Sequence, residues 1–237
     1  MGFGDVISRF FPKTYTEKDF MEKTYSILGK EGFNADNTIA SANVCRDEIS
    51  QTIVNLIRER WGEAFNLSSL AGMFFAGRTA LIAGMHHAPI EAGKERYVYY
   101  ALPHIAIGSS GEMGVCKRKG REKEGNACGA LNAFQKEIAE GRVNFSMDNE
   151  DIEQSLLRMR LLRELPYGHV PDLLELTRIA HRVIRTDIDN ALNNIVDKER
   201  CDYALITGIQ IHGPDNNYVW PDFSYAIING TRQEITF

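Results

Sequence analysis

Residues 96–107 read RYVYYALPHIAI, a run of aromatic and β-branched residues that is apolar on both of its alternating faces. A strand of that kind cannot sit at a solvated surface. It needs cover above and below, and the architecture that supplies it is a mainly parallel sheet with helices on both faces. The rest of the chain keeps to that scheme. Residues 37–45 (NTIASANVC) predict a short buried strand. An amphipathic helix follows with Ile49, Ile53, Ile57 and Trp61 on one stripe, opened by Asp47 and Glu48 and closed by Gly62. Residues 65–72 predict a second strand and 78–87 a helix that stops before Pro89. Residues 112–117 predict a partner strand and 128–140 a helix. Two longer helices follow over 150–165 and 172–197. Strands over 203–212 and 218–228, joined by the turn-rich HGPDNN, predict an antiparallel hairpin at the end. At the start, Phe3, Val6, Ile7, Phe10 and Phe11 have helical spacing up to Pro12, and Thr16 is placed to cap a helix that ends near Gly29 and Gly32. The prediction is one α/β domain over residues 1–237, with the helices of about 1–33 as a packing extension.

The bulk properties exclude several classes. A chain of 237 residues buries a sizeable core without staples. Its formal charge of −5, from 27 basic and 32 acidic residues, gives no attraction to nucleic acid or to an anionic membrane. No apolar run has the length of a membrane span and no secretory signal is visible, so a cytoplasmic or organellar stromal location is expected. The charged stretch 117–125 (KRKGREKEG) reads as a solvated hairpin tip.

Four cysteines (Cys45, Cys116, Cys128, Cys201) are too few and too scattered for a disulfide framework. Cys116 and Cys201 read as buried thiols. Cys45, His104 and Cys128 each fall at the edge of a predicted element, 59 and 24 residues apart. In α/β sheets, strand ends are where ligands collect. Zinc fingers take two ligands from one short knuckle, and no such pair occurs here. Three dispersed ligands favour a catalytic site with an open fourth position. GSSGEMG (108–114) is GxxGxxG with no helix after it, which leaves dinucleotide binding and a zinc alcohol dehydrogenase unsupported. The H-x-E and P-C-x-x-C of zinc deaminases are absent. His86 and His87 read as helix-terminal, with His87 a candidate to line a pocket or shuttle protons. Phe74, Phe75 and Ala76 read as core or pocket wall.

The local sequences around these positions are more specific. CRDEI (45–49), FNLSSLAGMFFAGRTAL (65–81), HHAP (86–89), PHIAIGSSGEMG (103–114), RKG (118–120) and ACGAL (127–131) occur in this order. As a set they resemble the theta class of carbonic anhydrases, the limiting-CO2-inducible B protein family, which is similar in site design to the beta class. The resemblance implies a zinc ion held by Cys45, His104 and Cys128, and reversible hydration of CO2 to bicarbonate by zinc-bound hydroxide. It also implies a homodimer with the site near the subunit interface, and an Asp–Arg pair that keeps the carboxylate from displacing the water. Asp47 matches the Asp. The beta-class C-x-D-x-R pattern would put the Arg at position 49, where this chain has Ile49. Arg58 is therefore the expected partner, with Arg60 and Arg78 behind it, although eleven residues of helix place Arg58 about 16 Å from Asp47. Because that Arg is displaced, the alternative reading is a zinc-bearing scaffold or regulatory subunit with the same fold and little activity.

Overall fold

The structure of the protein, a computed structural model, describes residues 2–118, 120 and 122–237. In chain order it comprises α1 (Phe3–Ser8), β1 (Tyr15–Thr16), α2 (Glu17–Lys30), β2 (Thr38–Val44), α3 (Gln51–Trp61), β3 (Ala64–Asn66) and α4 (Gly77–Gly84). There follow β4 (Glu95–Leu102), β5 (His104–Ala106), β6 (Val115–Cys116), β7 (Gly125–Asn126), α5 (Gly129–Ala139), α6 (Ile152–Leu162) and α7 (Leu173–Ile195). The chain ends with β8 (Cys201–His212), β9 (Asn217–Pro221), β10 (Tyr225–Ile228) and β11 (Thr231–Glu234).

The central sheet runs β1-β9-β8-β4-β2-β3, with β5 and β10 also paired to β8 and β11 to β10. β3, β2, β4 and β8 are mutually parallel, and β5 is parallel to β8. β9 and β10 return antiparallel along β8. This is the α/β sheet with an antiparallel C-terminal edge that the sequence predicts. β4 shows why both of its faces are apolar. Val98, Tyr100 and Leu102 meet α2 and α3 through Phe20, Met21, Ile53, Ile57 and Trp61. Tyr97, Tyr99 and Ala101 point the other way, into the core shared with Leu131, Phe134 and the α7 stripe Leu176, Ala180, Ile184 and Ile188. Each such buried aliphatic side chain contributes about 1.5–3 kcal/mol relative to exposure. Trp61 Nε1 donates to Tyr100 Oη at 2.8 Å, so the polar ends of these two buried rings satisfy each other.

The single strand expected over 96–107 is split. Pro103 carries no amide hydrogen, and its carbonyl instead accepts Gln210 N at 2.9 Å, so β5 resumes beside β8 in the register that β4 had kept. The strand expected over 65–72 ends at Asn66, and a 3₁₀ turn occupies Leu70–Gly72. Gly72 is held at φ +72°, where a Cβ would lie 3.3 Å from Cys45 N and 3.4 Å from Pro103 Cα. The turn thus closes directly on the ends of β2 and β4. The strand expected over 218–228 is interrupted at Asp222–Ser224, where Thr207 Oγ1 donates to Phe223 O at 2.5 Å and Thr207 N donates to Ser224 Oγ at 3.1 Å. At the start, Thr16 caps α2 as predicted, its Oγ1 accepting Asp19 N at 3.1 Å. His86 lies beyond the end of α4 and contacts Glu95 at 3.3 Å instead of serving a helix terminus.

His181, on α7, is 2% exposed, with its ring against Trp220. Burial pushes its pKa down to about 4; the Asp222 carboxylate opposes the shift, while Arg185 and Arg182 add to it. The folded value lies below the ordinary 6.5, so between those values the unfolded chain binds a proton that the native state refuses. Stability is therefore complete above pH 6.5 and is lost as the pH falls from there towards 4, by about 1.4 kcal/mol per pH unit. Urea midpoints at pH 7 and pH 5 measure the loss, and His181→Leu should flatten it.

Candidate metal centre

Three elements deliver one side chain each to the carboxyl end of the parallel strands. Cys45 directly follows β2, held there by a bridge to Ser69. His104 opens β5 after Pro103. Cys128 is the N-cap of α5. All three are buried, and their ligand atoms lie within 4.8 Å of one another. The two Sγ atoms are 4.0 Å apart. The predicted trio is thus assembled from segments 59 and 24 residues apart, and it could hold a metal ion.

The donor chemistry fits a cation. His104 Nδ1 is 3.0 Å from His212 Nε2, whereas His104 Nε2 is buried with no hydrogen-bond partner. A buried nitrogen lone pair left bare is costly unless something positive faces it. The thiol of Cys128, donating to Cys45, pushes the Cys45 pKa down against the opposing effect of burial. The Cys128 thiol is pushed up for the complementary reason, because it donates to Cys45 and is itself buried. The first proton of the pair is thus the easier to lose, and a binding cation would displace the second.

Behind His104 the structure places His212, which the sequence offered only as the last residue of a strand and the first of a turn. Its Nδ1 is 3.0 Å from Asn217 Oδ1, and burial, reinforced by His104, pushes its pKa down to about 3. His212 is therefore neutral. The sequence signal was slight: a histidine ending the strand beside the one that carries His104.

Asp47 stands two residues beyond Cys45 and caps the 3₁₀ turn Glu48–Ser50, its Oδ1 3.4 Å from Ile49 N. Its partner is Arg118, in a two-pronged pair: Nη1 donates to Oδ1 at 2.8 Å and Nη2 donates to Oδ2 at 2.9 Å. Arg118 also bonds Glu48, and its Nη2 donates to Asn126 O at 2.8 Å. Burial tends to raise the Asp47 pKa, but the Arg118 hydrogen bonds and charge outweigh it and hold the carboxyl well below the usual range.

Two expectations are corrected here. Arg58 does not meet Asp47, because α3 runs back along β2 and carries it to a groove of about 660 Å³ lined also by Ile39, Phe65 and His87. Arg60 pairs with Glu22 and stacks on Tyr25. The arginine comes instead from the stretch 117–125, which is exposed as expected at Lys117, Gly120 and residues 122–124 but sends Arg118 to Asp47; Lys119 and Arg121 lie outside the described residues. β6 and β7 pair on either side of it, Cys116 opposite Gly125, and turn Arg118 inward. His87 lies edge-on against Phe65, and Cys116 and Cys201 are buried and unpaired, as expected.

A parallel-stranded α/β sheet with Cys, His and Cys converging at its strand ends, beside an Asp–Arg pair, has the design of the beta-type carbonic anhydrases. The chain belongs to the family of limiting CO2-inducible proteins B/C beta carbonic anhydrases, whose model matches residues 14–228. It is similar to the crystal structure of limiting CO2-inducible protein LCIB, with 34% identity, 96% of each chain covered and a TM-score of 0.80. It shares its fold with PtLCIB4, a homologue of LCIB, at 22% identity over 98% of this chain and 99% of that one, with a TM-score of 0.83. No curated protein matches the chain. Among the described residues no helix is long and apolar enough to cross a membrane.

Proposed function

We propose that this protein is a zinc-dependent carbonic anhydrase of the theta class, a lyase that interconverts CO2 and water with bicarbonate and a proton. The observation that carries the reading is the convergence of Cys45, His104 and Cys128 within 4.8 Å, next to an Asp47 already occupied by Arg118. Tetrahedral zinc with bonds of about 2.3 Å to sulfur would separate two thiolates by about 3.8 Å, close to the spacing here. Cys45 and Cys128 would hold zinc as thiolates and His104 through Nε2. Zinc in such a site acidifies water, so that hydroxide is available near neutral pH.

The chain's own residues do the rest. Arg118 engages both oxygens of Asp47, which would keep the carboxylate from swinging onto a bound ion. A lone pair on each oxygen remains free. Through it Asp47 accepts a hydrogen bond from the attacking water or hydroxide and aims the oxygen's other lone pair at the CO2 carbon. Arg118 also keeps Asp47 ionised, so the residue orients its partner and does not consume the proton that the reaction releases. The reading of a scaffold that keeps the ligands without the rate gained weight from Ile49 standing where the beta pattern has arginine, and Arg118 on Asp47 removes that weight.

The proposal includes residues 1–237 acting as one zinc-binding α/β domain in a homodimer. Four unpaired cysteines suit a reducing cytoplasm or organellar stroma. Stopped-flow CO2 hydration on protein loaded with one zinc per chain tests it. The expected result is a rate well above buffer that falls to background in Asp47→Ala. Zinc-loaded protein with no rate above buffer would sink the enzyme reading.

A further inference from the structure

The polar groups behind His104 form one chain of hydrogen bonds that the proposed reaction does not use. At its far end is Glu17, the first residue of α2, 6% exposed and without an ion-pair partner among the described residues. Gln210 Nε2 donates to its Oε1 at 2.6 Å, and Thr52 Oγ1 lies 3.1 Å from the same oxygen. Asn217 Nδ2 is 3.0 Å from Thr52 Oγ1, and Asn217 Oδ1 is 3.0 Å from His212 Nδ1. His212 Nε2 is 3.0 Å from His104 Nδ1. Glu17, Thr52 and Asn217 also line a surface cavity of about 440 Å³, so the outer end of the chain opens to solvent.

The chain has a direction, and chemistry sets it from the outside in. A carboxylate only accepts, so the Thr52 hydroxyl donates to it; the other acceptor within reach, Ile49 O at 3.3 Å, has the same polarity. The Thr52 oxygen is then left to accept, which fixes the Asn217 NH2 towards it and the Asn217 oxygen towards His212. His212 must carry its hydrogen on Nδ1, leaving Nε2 to accept from His104 Nδ1–H. His104 is left with a bare lone pair on Nε2, the atom facing the two thiols.

We propose that Glu17, Thr52, Asn217 and His212 are positioning residues that lock His104 in the Nδ1–H tautomer and increase its strength as a metal ligand. Glu17 acts as the anchor, held by Gln210. A buried carboxylate without a local cation is expensive. Here the positive charge that would compensate it lies at the other end of the chain, at the trio that would hold the ion. Partners behind a ligating histidine fix its ring and raise its basicity in this way. The inference rests on the reading of Cys45, His104 and Cys128 as the ligands, and neither of its readouts measures turnover.

The test uses ¹⁵N-histidine-labelled full-length protein, metal-free for tautomer assignment by NMR and titrated with Zn²⁺ against a chelator for affinity. In metal-free wild type, His104 should carry its hydrogen on Nδ1. Glu17→Gln and Asn217→Leu should each weaken zinc binding by roughly 10- to 100-fold and move His104 towards the Nε2–H form. The double variant should be no worse than Asn217→Leu, because both cut one chain. Should Asn217→Leu fail to fold, Thr52→Val against Thr52→Ser decides: only valine should reproduce the loss. An Nε2–H tautomer in wild type, affinities within twofold of wild type, or weakened affinity without a tautomer change overturns the proposal. If the protein takes up no zinc, the ligand reading fails, and the tautomer shifts alone judge the relay. A missing CO2 hydration rate alongside normal zinc uptake leaves both relay readouts intact.

Discussion

Cys128→Ser should fold normally and hold no zinc. Serine has nearly the shape of cysteine, but its hydroxyl does not ionise near neutral pH, so the site loses one of the two anionic ligands that neutralise a divalent ion. The fold should survive for a local reason. Cys128 is the N-cap of α5 and makes no side-chain cap bond, whereas serine is among the preferred caps. Zinc per chain should drop from one to near zero and CO2 hydration to the buffer rate, while the urea midpoint changes by no more than about 1 kcal/mol equivalent. Stoichiometric zinc in Cys128→Ser would show that the ligand set is wrong.

Arg118→Ala should cost nearly as much as losing Asp47 itself. The two parallel hydrogen bonds at 2.8 and 2.9 Å are of the strong, charge-assisted kind. Without them the carboxylate is free to reach for the ion or turn away from the water. A fall of roughly 100-fold or more in the rate constant for hydration is expected. Asp47→Ala/Arg118→Ala should be no slower than Asp47→Ala, since the arginine acts through the aspartate. Arg58→Ala should stay within twofold of wild type. The pH dependence has a definite sign. Asp47's folded pKa is depressed, so it stays ionised in the native state below its ordinary pKa, while the stability it contributes is complete above that ordinary value and is lost as the pH falls from there towards the folded one. Arg118→Ala removes the largest influence that opposes burial, so an acid limb should appear at higher pH. A damaging Arg58→Ala alongside a benign Arg118→Ala would reverse the assignment.

What the sequence made legible was local, or was repeated along the chain. The two-faced apolarity of residues 96–107 placed β4 at the sheet's centre, the Leu176–Ile188 stripe set α7 against it, and Thr16 announced a helix start. Cys45, His104 and Cys128 were legible because each sits at the edge of an element, and because the surrounding segments as a set resemble one family. Arg118 was not legible. Charged, glycine-punctuated segments are usually solvated, and its contact with Asp47 spans 71 residues that no local pattern encodes. His212 was hidden likewise, 108 residues from His104 and at the point where a strand reads into a turn. The strand expected over 65–72 failed because the close approach of Gly72 to Cys45 and Pro103 requires a left-handed turn there.

The position of β8 within the sheet also bears on the order of events during synthesis. A nascent chain that has reached residue 128 already carries both cysteines and the histidine, yet β8 comes more than seventy residues later and pairs with β4, β5, β9 and β10. Until it emerges, β5 lacks its parallel partner strand and His104 has no His212 behind it. Contacts of such long sequence separation form late and slowly. An ion captured by the partial chain would thus meet loose thiols instead of a framed site. A framed site for metal would therefore have to wait until β8, Cys201–His212, has been made.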